Sequence, residues 1–411
     1  MRIIVALPYA PWPVTSGTGR LVMNLLDGLV ANHDVMLIGM TLSREDLGRL
    51  AEIERPRLST RAILAPHRRS VFRRVWCKAR NVAMSLLAGV PAQVGYAAPT
   101  ELLDLIARAV DEWRPDLVLA SYWHLYRLPE LVRGKRLALI THDLDFAVNP
   151  ERLRTRRGLG RFIAARRALA LERIEQKAYE RYDTILTVTP ADAVALARHP
   201  AGAGKVIRPL PLALDLAAFN PSAFDREPNT ILLIGTFHAD FNRDALHFFL
   251  DRILPRIVSE RSEARVEVVG YGVDPRFRAY AGSNVTFVGG VEDIRPYIGR
   301  CAVMVLPLRF GGGVRIRMME AAAMGTPVVS TPVGVAGMRL ESGTHYAEAR
   351  TADEIGEAVL QLLADEHGAR RLGANARRWA EENISMESYP ARLEALFKTI
   401  MTTRQGAHEL G

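Results

Sequence analysis

Short apolar runs of strand length alternate with segments of helical periodicity along most of the chain. In the first half the strand-like runs are RIIVAL, DVMLIGM, DLVLAS, LALIT and TILTV, and an amphipathic pattern from Gly19 to Ala31 separates the first two. A longer charged helical pattern, residues 160–181, precedes TILTV. This alternation predicts β-α-β units, which build parallel sheets.

The alternation stops at IRPLPLALDLAAFNPSAFDREPN, where four prolines stand in a stretch without a regular pattern. It restarts with the strand-like runs TILLIG, RVEVVGYG, NVTFVG, AVMVLPL and PVVST, and with helical patterns at 244–260, 293–299, 352–364, 366–383 and 388–401. We therefore predict an α/β protein of two Rossmann-like domains, residues 1–210 and 211–385, with a C-terminal helix in 386–411 that packs back on the first. Two such domains would face each other across a cleft at the carboxyl ends of their strands, where α/β proteins bind ligands.

Composition and cysteine content narrow the class of protein. With 411 residues, of which 49% are hydrophobic and 24% charged, the chain resembles soluble globular proteins. Its only cysteines, Cys77 and Cys301, exclude a disulfide framework and a CxxC motif, which favours a reducing, cytoplasmic compartment. The start MRIIVALPYAPW lacks the long apolar core of a signal peptide, and the longest uncharged stretch, residues 81–100, is too polar to cross a bilayer.

The net charge of +9 comes from one segment. Residues 55–100 hold nine Arg or Lys and no acidic residue, so the rest of the chain carries 45 basic and 45 acidic residues. Within that segment, residues 68–88 predict a basic amphipathic helix whose apolar face includes Phe72 and Trp76. Such a helix either packs on its own domain or docks on anionic lipid headgroups, and the pattern serves both uses. Nucleic acid is a poorer partner, because the aromatic side chains lie on the apolar face and not among the arginines.

Candidate chemistry is concentrated in FGGGVRIRMMEAAAMGTPVV, which follows the predicted strand AVMVLPL. A glycine-rich turn that enters a helix presents backbone N–H groups and the positive end of the helix dipole to a phosphate. The glycines of this turn are Gly311, Gly312 and Gly313. Arg309, Arg315 and Arg317 add positive charge, and Glu320 lies about 10 Å further along the helix, about the distance from a terminal phosphate to the ribose diol. A tight strand-to-helix turn with an exposed glutamate would have the same pattern, so the motif alone leaves both interpretations open.

Longer segments carry a resemblance to a known family. PLPLALDLAAFNP, ILLIGTFHADFNRDALHFFLDRILPRI, VEVVGYG and VTFVGGVEDIRPYIGRCAVMVLPLRFGGGVRIRMMEAAAMGTPVVSTPVGVAGM resemble the donor domain of family-four retaining glycosyltransferases, group 1, which have the GT-B fold. The first half resembles them in PYAPWPVTSGTGRLVMNLLDGLVANHDVMLI, LALITHDLDF and LERIEQKAYERYDTILTVTPADAVAL. The resemblance implies that a sugar moves from a nucleotide diphosphate sugar to an acceptor, with retention of anomeric configuration and without a metal.

The resemblance assigns roles to residues of the second domain. Glu320 matches the second glutamate of the family's Glu-x7-Glu motif, which holds the ribose, and Gly312 stands where the family has the first glutamate. A Gly-Gly-Gly version recurs in one branch of the family, and there the loop amides would meet the sugar hydroxyls and the phosphate. Arg315 and Arg317 are assigned as catalytic residues that stabilise the departing diphosphate. Arg243 is the one match to the Arg and Lys that the family often has after the first strand of this domain, and it is assigned to the donor phosphates as well.

In the first domain the resemblance points to Gly17, Gly19 and His142. Gly17 and Gly19, in TSGTGR, match the family's glycine loop, which faces the phosphates or the acceptor. As a dinucleotide fingerprint the segment fails, because Val22 stands where the last glycine is required. A lone histidine at a strand end is more often a turn residue, but His142, after the run LALIT, matches a family histidine near the reacting sugar. The resemblance therefore assigns His142 as a catalytic residue in contact with the donor or the acceptor.

Two further candidates are left out of the predicted site. Asp143 and Asp145 form a DxD, which binds a metal in GT-A enzymes, but here they follow a first-domain strand and are interpreted as incidental or acceptor-facing, so no metal is expected. His124, in SYWHLY, is not assigned a role. No cofactor is expected, since the nucleotide diphosphate sugar is the donor substrate.

We therefore expect a cytoplasmic, metal-independent, retaining hexosyltransferase that acts on a glycan or lipid-linked acceptor in polysaccharide or glycoconjugate biosynthesis, peripheral on the inner face of the membrane if residues 68–88 dock there. Two alternatives stay open: a catalytically silent nucleotide-sugar-binding protein, which Gly312 favours, and a nucleotide-sugar epimerase of the same fold. A phosphorylase of this fold is excluded, because its pyridoxal phosphate requires a lysine in the second domain and none occurs between Lys205 and Lys398.

Overall fold

The computed structural model describes residues 1–12, 14, 17–87, 89–144, 146 and 158–402, and for residues 86, 158–164 and 167 the backbone only. The chain divides into two compact units. The first comprises Met1–Leu212 together with the segment from Ser388, and the second comprises Ala213–Glu387. Each unit contains one parallel sheet with helices packed on it, which confirms the predicted α/β class and the Rossmann-like architecture of each half.

The sheet of the first unit has seven parallel strands in the order β3-β2-β1-β4-β5-β6-β7. The strands are β1 (Arg2–Ala6), β2 (Asp34–Thr41), β3 (Leu58–Leu64), β4 (Leu117–Ser121), β5 (Leu137–Thr141), β6 (Thr184–Thr187) and β7 (Val206–Pro209). The central strands are buried on both faces, which explains why their sequences are continuous apolar runs. The edge strands β3 and β7 were not predicted, since a partly exposed edge strand keeps polar residues that hide the apolar run.

Helices cover this sheet and carry the basic segment. They are α1 (Gly17–Val30), α2 (Arg44–Arg49), α3 (Pro66–Arg69), α4 (Val71–Leu87), α5 (Ala92–Ala97), α6 (Thr100–Trp113), α7 (Leu128–Leu131), α8 (Gly158–Arg181) and α9 (Pro190–Arg198). Short 3-10 turns occupy Leu50–Ile53, Trp123–Leu125 and Pro200–Gly202. The core between sheet and helices is apolar and includes two fully buried tyrosines, Tyr179 and Tyr182.

The sheet of the second unit has six parallel strands in the order β10-β9-β8-β11-β12-β13. The strands are β8 (Glu227–Ile234), β9 (Arg265–Val269), β10 (Val285–Gly289), β11 (Cys301–Leu306), β12 (Val328–Ser330) and β13 (Ala347–Glu348). The helices are α10 (Asp240–Phe248), α11 (Leu254–Glu260), α12 (Arg295–Arg300), α13 (Ile316–Ala323), α14 (Ala352–Ala364) and α15 (Glu366–Ile384). Further 3-10 turns lie at Leu216–Ala218, Pro221–Ala223, Pro275–Tyr280 and Pro332–Val335.

The predicted helix over 244–260 begins four residues earlier and is not a uniform α-helix. A π-helical turn, Phe249–Ile253, joins α10 to α11. Pro255 stands in the first turn of α11 and has no N–H to donate to the preceding turn, so the wider turn accommodates it.

The C-terminal helix α16 (Tyr389–Thr402) packs on α1 of the first unit. A Cβ added at Gly28 of α1 would come within 2.5 Å of the Tyr389 ring, so glycine is required for this approach. His33 Nε2 lies 2.9 Å from a Glu394 carboxylate oxygen, and Arg136 donates to the Ile400 carbonyl at 3.1 Å. Among the described helices, none has both the length and the apolar character needed to span a bilayer.

In each sheet the strand order reverses at one place, between β1 and β4 in the first unit and between β8 and β11 in the second. At such a switch point the loops after the two neighbouring strands diverge to opposite faces and leave a crevice at the carboxyl end of the sheet. Most candidate residues follow these strands: Gly17 and Gly19 come after β1, Arg243 after β8, and residues 311–320 after β11. His142, by contrast, follows β5.

Candidate functional site

The glycine loop of the second unit follows β11 and contains two left-handed backbone positions. Gly311 has φ +123° and Gly313 has φ +73°, conformations that residues with a Cβ rarely adopt. A Cβ at Gly311 would also approach Arg315 Nη2 to 2.6 Å. The glycines at these two positions are therefore required by the path of the loop.

The buried side chain of Arg315 holds this loop in place. Its side chain is 7% exposed, its Nη1 donates to the Gly312 carbonyl at 2.7 Å, and its guanidinium lies 4.9 Å from the centre of the Phe241 ring. The cation–π contact and the hydrogen bond together hold the guanidinium beneath the loop. Arg315 thus fixes the conformation of the glycines and adds a positive charge directly behind their backbone.

Arg317, in the first turn of α13, connects this helix to the neighbouring strand. Its Nη1 donates to the carbonyl of Ile234, the last residue of β8, and to Asn242 Oδ1 at 3.1 Å. Asn242 in turn donates to the Thr236 carbonyl at 2.9 Å. Burial lowers the pKa of Arg317 to about 10, with the charge of Arg315 adding to the decrease and that of Glu320 opposing it, so Arg317 stays cationic at neutral pH.

Glu320 lies half-buried in the same helix, one turn beyond Arg317. The carboxylate is close enough to Arg317 to raise the pKa of the guanidinium. The motif thus lies on a single loop and the helix that follows it, at the switch point of the second sheet. The glycines are on the loop, and Arg315, Arg317 and Glu320 come after them.

Two other arginines near the loop are engaged by carboxylates. Arg243, in the first turn of α10, forms an ion pair with Asp240, and its charge also contributes to the low pKa of Asp274, which is set mainly by Arg276. Arg309 makes two hydrogen bonds to Asp244, at 2.9 and 2.5 Å, and lies over the Phe248 ring at 4.7 Å. The contacts of Arg309 therefore hold the backbone just before the glycine loop. For Arg243 the ion pair with Asp240 does not test the predicted contact with phosphate, which stays a prediction.

The first unit has a cavity of about 680 Å³ at the carboxyl ends of β1, β2 and β4. Gly19 of α1 and His124 line it, whereas Gly17 is the exposed first residue of α1. Four aromatic side chains shape the wall: Tyr9, Trp12, Tyr96 and Tyr122. The cavity therefore combines flat apolar surfaces with a few polar groups, as ligand pockets do. Sequence reasoning missed these aromatic residues, although PYAPW after β1 offered a signal.

Tyr122 occupies a strained position in the cavity wall. Its φ of +77° is unusual for a bulky residue. The His142 ring lies 4.4 Å from the Tyr122 ring, and burial raises the pKa of the Tyr122 hydroxyl while a hydrogen bond to the Thr18 side chain opposes the increase. Backbone strain of this kind is often found where a side chain is held for a ligand.

The predicted histidine, His142, is buried behind Tyr122. Its Nε2 lies 2.7 Å from Ser121 Oγ, and its Nδ1 has no hydrogen-bond partner among the described residues. Burial lowers its pKa to about 4, so the ring is neutral at pH 7. His124, stacked on Trp123 at 4.0 Å, has the same pKa for the same reason. The histidine left out of the prediction lines the cavity, while the predicted one supports the wall.

The loop that follows His142 is held by a buried carboxylate. Glu175 is fully buried; it accepts from Tyr179 Oη at 2.7 Å and from the Phe146 N–H at 3.0 Å. Thr141 Oγ lies 3.1 Å from the same hydroxyl and donates to the Asp143 carbonyl at 2.9 Å. Asp145, the second residue of the DxD, lies outside the described residues, as do residues 15 and 16 of TSGTGR. Within the described part of the chain no cluster of three or more acidic, His or Cys groups has metal-binding geometry.

Comparison with solved structures agrees with this architecture. The sucrose-phosphate synthase of Thermosynechococcus elongatus matches with a TM-score of 0.73 at 17% identity, over 97% of this chain and 99% of that one. Anabaena HepE, solved with UDP and glucose, matches with a TM-score of 0.66 at 13% identity, over 97% of this chain and 100% of that one. At such identities the likeness shows the shared GT-B fold.

Sequence comparison identifies the family. A GDP-mannose-dependent α-(1-6)-phosphatidylinositol monomannoside mannosyltransferase of Mycobacterium tuberculosis is 29% identical over 123 residues, which are 27% of this chain and only 31% of that enzyme. The family model for glycosyl transferases group 1 matches residues 228–365, and that for the glycosyl transferase 4-like domain matches residues 16–211. Because the two models together span most of the chain and describe both of its units, this protein belongs to the group 1, family-four glycosyltransferases.

Proposed function

We propose that this chain is a retaining, metal-independent hexosyltransferase that moves a sugar from a nucleotide diphosphate sugar to a glycan or lipid-linked acceptor in polysaccharide or glycoconjugate biosynthesis. The observation that carries the proposal is the glycine loop locked by Arg315, with Glu320 on the helix that follows. The loop offers backbone N–H groups to a diphosphate, and Glu320 offers a bidentate carboxylate to the ribose diol. Because α13 begins at Ile316, three residues after Gly313, Glu320 stands in the second turn of the helix that directly follows the loop.

The glycine at position 312 fits this proposal. A glutamate side chain there would hold the donor sugar, and in its absence the backbone amides of the loop take over that contact. Arg315 fixes those amides through the Gly312 carbonyl, so its contribution is to position the loop and to add charge behind it. Arg317 uses Nη1 for Ile234 and Asn242, and its remaining donors are assigned to the phosphate.

In the proposed reaction the acceptor hydroxyl attacks the anomeric carbon on the face from which the diphosphate leaves. The bond between the anomeric carbon and the phosphate oxygen breaks, the new bond to the acceptor oxygen forms, and the hydroxyl proton moves to the departing phosphate oxygen. Arginine charge and the dipole of α13 stabilise the leaving diphosphate, which makes a protein nucleophile unnecessary. His142, neutral at pH 7, contributes by supporting Tyr122 at the acceptor cavity.

The relatives suggest candidate donors and acceptors. The mycobacterial enzyme is named for GDP-mannose and a phosphatidylinositol mannoside, and the Anabaena protein was solved with UDP and glucose. We carry over from them the classes, a guanine or uracil nucleotide sugar and a glycan or lipid-linked acceptor. The two free cysteines are consistent with the cytoplasmic location that we propose for the reaction.

A silent nucleotide-sugar-binding protein is the second candidate, since Gly312 replaces a family carboxylate. Incubation with UDP-glucose and GDP-mannose, with lipid extracts or glycans as acceptors and with EDTA present, separates the two. Transferase activity releases nucleotide, survives EDTA and yields a product with the donor's anomeric configuration, measured by NMR. Nucleotide binding with no donor consumption under any of these conditions would support the silent protein, and an inverted product would overturn the retaining mechanism.

A further inference from the structure

Helix α4 turns its apolar face to solvent. Its inner face consists of Cys77 and Asn81, 2% and 1% exposed, and half-buried Met84, spaced as successive turns of one helix face. The exposed apolar side chains of α4 are Val71, Phe72, Val75, Trp76, Val82 and Leu87. They make up nearly half of the large apolar side chains that are exposed in the described part of the chain. The predicted apolar face therefore does not pack on its own unit.

Basic residues border this apolar strip on both sides. At about 100° per residue, Arg74 and Lys78 follow one edge of the strip, and Arg73 and Arg80 follow the other. Arg73 lies 3.7 Å from Glu101, and Arg80 stacks over the Trp76 ring at 5.0 Å. Arg74 and Lys78, by contrast, are exposed and have no acidic partner within salt-bridge distance in the described residues. Arg68 and Arg69 of α3 extend the basic border toward the N-terminus.

We propose that α4 docks the protein on an anionic lipid bilayer. An exposed strip of aromatic and aliphatic side chains is costly in water, and it becomes favourable when it enters the boundary between headgroups and acyl chains. The cations on both edges then lie at the level of the phosphates, each adding attraction to an anionic surface. Phe72 and Trp76 are the anchors, because aromatic rings favour this boundary. The segment with all of the protein's net charge thus also holds nearly half of the large apolar side chains that are exposed in the described residues.

The docking helix lies directly behind the wall of the first-unit cavity. The Asn81 amide rests on α5 where a Cβ at Gly95 would be only 2.4 Å from Asn81 Oδ1. The same short helix α5 presents Tyr96 to the cavity, and the His67 ring of α3 meets Tyr96 edge to face at 5.1 Å. If the proposed transferase function holds, on which this step rests, docking brings the cavity to the bilayer surface. The acceptor is then an amphiphile whose polar head enters the cavity from the membrane.

Vesicle flotation tests the docking without any nucleotide. We expect the wild type to float with phosphatidylcholine vesicles that contain phosphatidylglycerol, less so at high salt, and not with phosphatidylcholine alone. Arg74→Glu/Lys78→Glu should weaken binding at least about tenfold, since each cation is worth a several-fold gain near an anionic surface. Phe72→Ser/Trp76→Ser should weaken it to a similar degree, and Trp76→Phe should abolish the blue shift of tryptophan emission on binding.

Matched controls separate docking from unspecific attraction. Arg371→Glu/Arg378→Glu, exposed on α15, changes the net charge equally, and Leu169→Ser/Val194→Ser removes two exposed apolar side chains elsewhere. Both controls should bind as the wild type does. Equal loss in the charge control, undiminished binding of Phe72→Ser/Trp76→Ser, or no flotation of the wild type would each overturn the proposal. A binding partner with an acidic groove would show as no flotation together with a stable protein complex.

The acceptor step has its own readout. The α4 variants should keep the stabilisation by nucleotide that the wild type shows, because the glycine loop belongs to the other unit. They should lose transfer to a lipid acceptor in vesicles but keep transfer to the same headgroup in solution. Vesicle binding with no transfer to any acceptor would contradict the proposed function and leave the docking intact, whereas equal loss on both acceptors would contradict delivery from the membrane.

Discussion

Arg317 of α13 donates to Asn242 of α10 across 3.1 Å, and the same Nη1 donates to the last carbonyl of β8. This contact joins the helices that follow β8 and β11, the two strands at the switch point of the second sheet. The helix that carries Glu320 is thereby fixed to the end of the neighbouring strand. The donor site that we propose is therefore held by side-chain contacts as well as by the loop backbone.

Replacing Asn242 by Ala should destabilise the second unit and weaken nucleotide binding. Asn242 is 3% exposed, so its removal leaves a buried cation with one acceptor fewer, a loss of about 1–3 kcal/mol in the free energy of unfolding. Urea denaturation measures the loss. Asn375→Ala, which removes an exposed amide bonded to the Thr344 carbonyl, is the control and should cost less and leave nucleotide affinity unchanged. Equal nucleotide affinity in both variants would show that the link to Arg317 does not support the site.

Gly311→Ala should deform the glycine loop. Both its φ of +123° and the 2.6 Å approach of an added Cβ to Arg315 oppose the substitution, at a cost of about 1–3 kcal/mol. We expect nucleotide affinity to fall more than tenfold in isothermal titration calorimetry. Gly282→Ala, where an added Cβ meets nothing within 4 Å, is the matched control and should change neither the stability nor the nucleotide affinity. A Gly311→Ala protein with normal affinity would mean that the loop path is irrelevant to binding.

The buried histidines should make the protein acid-sensitive in a defined window. The folded-state pKa values of His124 and His142, about 4, lie below the ordinary value of 6.5, so the unfolded chain binds more protons between these limits. Their contribution is fully present above pH 6.5 and is lost as the pH falls toward 4, up to roughly 3 kcal/mol for each. Denaturation of His124→Gln/His142→Gln between pH 7 and 4 should show a shallower dependence than the wild type. The control His367→Gln, exposed on α15, should show the same pH dependence of stability as the wild type. If stability depends on pH equally in all three proteins, His124 and His142 are not the source of the acid sensitivity.

Strands with continuous apolar runs could be predicted, because a central parallel strand is buried on both faces and its sequence shows it. LALIT and RIIVAL match β5 and β1 within one residue. Edge strands β3 and β7 were missed, since their exposed positions carry residues such as Arg61 and Arg208 that break the run. Periodicity also could not decide which face of α4 is buried: the inner face is made by Cys77 and Asn81, and the apolar strip points outward.

The motif of the second unit was visible in the sequence because its parts are consecutive. The residues that hold the motif in place could not be predicted. Asn242 and Phe241 come from a helix about 75 residues earlier in the chain, and they contact Arg317 and Arg315 only in the folded protein. The cavity of the first unit is the extreme case. Its aromatic wall is assembled from separate segments after β1, in α5 and after β4, none of which carries a motif alone.

Thermal unfolding with UDP, GDP, ADP and dTDP, each repeated on Glu320→Gln, tests the central claim most directly. A ligand at 100 times its Kd stabilises by about 2.7 kcal/mol, which raises Tm by a few degrees in a protein of this size. We expect one nucleotide to raise the Tm of the wild type and of the control Glu382→Gln, an exposed change on α15, and to raise that of Glu320→Gln less. If no nucleotide raises the Tm, or if Glu320→Gln responds as the wild type does, the glycine loop and Glu320 do not form a nucleotide site.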